Sequence, residues 1–117
     1  MKTLLNLEEL AMLAASVFLF RLIDMDWWVY AAFFLAPDIG ILGYLINPKV
    51  GAATYNLTHH KAIGIACICC GWLSDTDPLA FAGIIIIGHA SFDRILGYGL
   101  KHADNFKHTH LGWIGKK

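Results

Sequence analysis

The stretch IIIIGHASFDRILGYGL, residues 84–100, opens as unbroken hydrocarbon and then sets down His89, Asp93 and Arg94. Whether three ionisable side chains can sit in such a run depends on the solvent around it. Composition identifies that solvent as lipid. The chain has 117 residues, 57% hydrophobic and 15% charged, with mean hydropathy +0.56. Ordinary soluble domains hold about 45–50% apolar and about 25% charged residues. A soluble fold this small has too few polar residues to cover its surface. The length allows a single domain, residues 1–117.

Nine Lys and Arg balance nine Asp and Glu. No basic field is left to attract nucleic acid, so nucleic-acid partners are excluded. Cys67, Cys69 and Cys70 crowd into one apolar run with no second cluster to complete a zinc site or a disulfide framework; they read as small hydrophobes. Glu8 and Glu9 stand where the apolar core of a signal peptide would begin, and the N-terminus is expected to stay in the fold.

A transmembrane helix needs about 20 mostly apolar residues. Four segments meet this, at about 7–23, 27–46, 51–73 and 79–100, followed by a tail over 101–117. The expected fold is an all-α, four-transmembrane-helix bundle. Asn6 and Glu9 have the spacing of a capping box for the first span. Trp27, Trp28 and Tyr30 form an interfacial aromatic group at the second, which ends at Asn47-Pro48. Lys2, Lys49, Lys101, Lys107, Lys116 and Lys117 flank one side, and Asp24, Asp26, Asp75 and Asp77 the other. Basic connections face the cytoplasm, which places both termini there in a bacterial inner membrane.

Counting from the cytoplasmic ends at about 1.5 Å per residue puts Asp38, His59 and Asp93 at one depth, roughly 10–12 Å in. His89 is one turn deeper on the face of Asp93. Pro37 should open the second helix beside Asp38, and Tyr55 and Asn56 share a face with His59. Lys61 falls deeper than His59 on the other side of its helix. It snorkels, or pairs with a carboxylate of a neighbouring helix, or marks a later start of helix three after a re-entrant 49–60.

The segments APDIGILGYL (36–45), VGAATYNLTHH (50–60), HASFDRILGYGLK (89–101) and THLGWIG (109–115) together resemble the bacterial integral membrane family catalogued as domain of unknown function 4260. The resemblance runs from about Trp27 onward and implies a membrane fold with no assigned reaction. The family pattern has FKDTHLG in the tail, where this chain places His108 before Thr109. A fainter similarity links the Pro-Asp pair and the later THLG to membrane-bound metal-dependent hydrolases.

Imidazoles and carboxylates converging from separate helices suit zinc or a similar divalent ion with one position left for water. On this reading His59, His89, Asp93 and His110 are the metal ligands. Asp38, Tyr55 and Arg94 assist catalysis, with Arg94 holding an anionic group such as a lipid phosphate or, alternatively, satisfying Asp93, Asp38 or backbone carbonyls. The expected function is hydrolysis of a membrane-associated substrate, with membrane lipid as partner and a homo-oligomer as the assembly. A proton, ion or small-molecule carrier and a structural subunit are the competing readings.

Overall fold

The structure, a computed structural model, describes residues 1–115, and most of them are helical. α1 spans Lys2–Arg21, α2 Trp27–Phe33, α3 Pro48–His59, α4 Lys61–Leu73 and α5 Asp77–Ile95, while a 3-10 segment occupies Ala36–Leu45. β1, His108–Thr109, and β2, Gly112–Trp113, form an antiparallel hairpin in the tail. Lys116 and Lys117, expected on the cytoplasmic side, lie outside the described residues.

Among the described residues, three segments are long and apolar enough to cross a membrane: Lys2–Arg21, Trp27–Leu45 and Asp77–Ile95. Leu35, Ile46 and Leu73 are 64%, 73% and 89% exposed, a surface that hydrocarbon would solvate at no cost. α4 has 13 residues and measures only about 20 Å, short of the roughly 30 Å hydrocarbon core. The expected continuous third span, 51–73, is instead two helices. At His60 the backbone turns extended, φ −91° and ψ 116°, although neither Pro nor Gly stands there to announce it. α3 lies mainly against the 3-10 segment, and α1 and α4 lie against α5.

The first helix also differs from expectation. It starts at Lys2, so Asn6 and Glu9 are interior residues and no side chain caps the N-terminus. The Glu9 carboxylate is taken by the Lys61 ammonium. Two of the three readings of Lys61 therefore hold together: it pairs with a carboxylate on a neighbouring helix, and a new helix, α4, starts at Lys61 after a separate 48–59 segment.

Pro37 explains the 3-10 segment. Proline has no amide hydrogen to give Phe33, and the Asp38 amide bonds Leu35 rather than Phe34, so the coil tightens to the i→i+3 pattern. Two carbonyls in the segment take α3 hydroxyls: Thr58 Oγ1 donates to Pro37 O at 2.7 Å and Thr54 Oγ1 to Gly40 O at 2.5 Å. A side chain at Gly40 would put its Cβ 2.6 Å from Thr54 O and 2.9 Å from the Tyr55 Cα, so glycine is what permits this approach.

Phe20, Ile23, Ile68, Ile84 and Ile87 form the buried core joining α1, α4 and α5. Ser16, fully buried, hydrogen-bonds Tyr30 at 2.6 Å beside Gly88 and ties α1 to α2. Asn56 clamps the tail to α3: its Nδ2 donates to Lys101 O at 2.8 Å and its Oδ1 accepts from Lys101 N at 2.6 Å.

Candidate metal centre

α5 carries His89 and Asp93 one turn apart, α3 ends on His59, and the 3-10 segment brings Asp38 across to them. One ligand atom from each of these four residues lies within 4.8 Å of the other three. His59 and His89 are 3% and 1% exposed, the Asp93 side chain 13% and the Asp38 side chain 41%. The group is therefore buried on three sides and reached from the side of Asp38.

Hydrogen bonds fix both imidazoles. His89 Nδ1 lies 2.7 Å from Phe34 O, the carbonyl released when the 3-10 segment began, and His59 Nδ1 lies 2.8 Å from Tyr55 O. A carbonyl only accepts, so each Nδ1 is the donor. In a neutral ring the Nε2 lone pair is then exposed. Both lone pairs face carboxylate oxygens: His89 Nε2 is 3.0 Å from Asp38 Oδ1 and 3.3 Å from Asp93 Oδ2, and His59 Nε2 is 3.3 Å from each. His59 Nε2 is buried and makes no hydrogen bond with any described residue.

With both rings neutral these four atoms are all acceptors and repel unless a proton or a metal ion lies between them. His89 Nε2 and Asp38 Oδ1, 3.0 Å apart, are within hydrogen-bond distance should that nitrogen carry a proton. Ligand atoms on one ion with bonds of about 2.0–2.1 Å lie roughly 3.3 Å apart when tetrahedral, close to the four His-to-Asp separations here, and the whole set stays within 4.8 Å. The Nδ1-to-carbonyl bonds are the outer contacts that usually orient metal-binding imidazoles. The residues present thus fit a divalent transition ion.

Tyr55 and Thr58 complete the surroundings. The Tyr55 ring stacks on His59, and its hydroxyl donates to Asp93 Oδ2 at 3.2 Å. Thr58 Oγ1 is 3.1 Å from His59 Nδ1. The Lys101 ammonium sits 4.7 Å from the Tyr55 ring centroid and 3.9 Å from that of Phe106; burial lowers its pKa, opposed by the Asp93 and Asp38 charges.

Of the residues singled out by sequence, Asp38, Tyr55, His59, His89 and Asp93 meet here. Arg94 and His110 do not; they line a separate cavity of about 830 Å³. Arg94 follows Asp93 by one residue and so projects about 100° away around the helix. His108 is also apart, bonded to Asp104 at 2.9 Å and stacked on Trp113. Sequence reasoning missed the Phe34 carbonyl, for which Pro37 three residues on is the signal, and Thr58, whose side-chain role nothing local marks.

The fold and site define a small, mostly helical protein with membrane-length apolar helices and a buried Asp/His cluster. A family model described as domain of unknown function (DUF4260) matches residues 2–114, and the chain belongs to that family. No curated protein and no solved structure matches it.

Proposed function

We propose that this chain is an integral membrane metalloprotein whose Asp38, His59, His89 and Asp93 hold a divalent ion, zinc or similar, for hydrolysis of a membrane-associated substrate. The observation that carries this reading is the orphaned Nε2 of His59, buried opposite two carboxylates and a second imidazole with its lone pair unused. The ion would supply Lewis acidity and lower the pKa of a water toward about 7. His59, His89 and Asp93, the three buried members, serve as ligands. Asp38, the exposed member, is placed to accept a proton from water entering on its side. Tyr55 holds Asp93 by its hydroxyl and His59 by its ring.

α3 and α4 together form the third of four crossings, broken at His60, with both termini on the cytoplasmic side of a bacterial inner membrane. The basic connections Lys2, Lys49, Lys101 and Lys107 support that orientation.

Elemental analysis of detergent-purified protein tests the reading. One equivalent of zinc, manganese or iron per chain, lost in both His59→Ala and His89→Ala, is the expected result. A metal-free protein that moves protons or cations in vesicles would replace the hydrolase with a carrier. A metal-free protein in which the same substitutions change only stability would leave a structural ion cluster.

A further inference from the structure

Arg94 lies in the last turn of α5, where no acceptor among the described residues meets it. Its side chain is only partly exposed, yet the guanidinium forms no hydrogen bond or ion pair with any described residue. Its five N–H donors border a cavity of about 830 Å³, where they are free to meet a ligand with matching acceptors.

Other groups around that cavity agree. His110 Nδ1 accepts from the Leu100 amide at 2.8 Å, so in the neutral ring the proton is on Nε2, a second donor. Burial and the Arg94 charge both lower the pKa of His110 and keep it neutral, so it offers a hydrogen bond without adding charge. Gly99 makes room for it: a Cβ there would lie 2.6 Å from His110 Nδ1. Lys2 brings a further cation from the start of α1. Of the two carboxylates in the lining, Glu9 is neutralised by Lys61, leaving Glu8 alone against Lys2 and Arg94.

The rest of the lining is apolar, including Leu5, Leu111 and Ile114. We propose that this cavity binds the phosphate headgroup of a membrane lipid, with Arg94 and the His110 Nε2–H on the phosphate oxygens and the apolar wall against the first carbons of the lipid chains. The site is distinct from the Asp/His cluster and does not rest on the metal reading.

Full-length protein in a non-ionic detergent, titrated calorimetrically with dihexanoyl phosphatidic acid, tests this. Saturable binding is expected, with about a tenfold or greater loss in Arg94→Gln, because a hydrogen bond to a charged group is removed. Dihexanoylglycerol, which lacks the phosphate, should give no binding, and Lys49→Gln, which removes an exposed cation outside the cavity, should bind as the wild type does. Equal affinity in wild type and Arg94→Gln overturns the site, as does equal binding of dihexanoylglycerol. Inorganic phosphate binding as tightly as the lipid overturns the lipid assignment and makes the ligand a free anion. If Arg94→Gln lowers the melting temperature, Lys2→Gln replaces it, and an unchanged affinity there overturns the proposal in the same way.

Discussion

The Tyr55 ring lies flat on the His59 imidazole, with 3.8 Å between centroids and 9° between planes. One residue thus sets the orientation of an imidazole with its ring and of a carboxylate with its hydroxyl, which reaches Asp93 Oδ2.

Tyr55→Phe separates the two roles, since it keeps the stack and deletes the bond to Asp93. If the cluster holds the proposed ion, metal affinity should fall by about 10–100-fold, the usual effect of losing an outer partner of a ligand, with the melting temperature nearly unchanged. Competition with a chelator measures it. An unaltered affinity would mean that the hydroxyl has no part in holding Asp93.

Lys61 and Glu9 form a largely buried pair, with side chains 16% and 13% exposed. Removing one partner strands the other charge, so Lys61→Met and Glu9→Gln should each destabilise, by at most about 3–5 kcal/mol. The double variant should recover part of the loss. Unfolding in mixed micelles gives the comparison, and a double variant as unstable as the sum of the singles would show that the residues do not interact.

Gly40→Ala introduces a Cβ against the backbone at Thr54 and Tyr55, which cannot rotate away. The 3-10 segment must withdraw from α3, at a cost of about 1–3 kcal/mol. Asp38 rides on that segment, so metal affinity should fall with stability. Gly97→Ala has nothing within 4 Å of its added carbon, but its φ of +93° makes it strained in its own right. It should destabilise without touching affinity.

In the tail, the hydrogen bond from His108 lowers the pKa of Asp104 below the usual carboxylate range. A depressed carboxyl stabilises the fold above the unfolded-state pKa and loses that contribution as pH falls through the folded value. Order in the 108–113 hairpin should therefore be retained at neutral pH and decline only in acid below about pH 4. NMR titration of Asp104 should show its pKa return toward 3.8 in His108→Ala.

How much of this was readable beforehand follows from the range of each interaction. The meeting of Asp38, His59, His89 and Asp93 was legible because helical rise turns sequence position into depth and a four-residue spacing turns into a shared face. Pro37 likewise announced the opening of the helix beside Asp38. The break at His60 was open as one of three readings of Lys61, a later start of helix three after 49–60. The sequence did not decide among them, because the choice comes from tertiary packing, in which α3 follows the 3-10 segment while α4 follows α5. Glu9 looked like half of a capping box because its partner, Lys61, lies far along the chain. Arg94 and His110 were assigned to the cluster from residue type, but one step around α5 and a turn in the tail direct them elsewhere.

The extended residue at His60 divides the helices into two packing groups, α1 and α4 against α5, and α3 against the 3-10 segment. His89 and Asp93 belong to the first group and Asp38 and His59 to the second, so the four side chains meet across the seam and each group supplies one imidazole and one carboxylate.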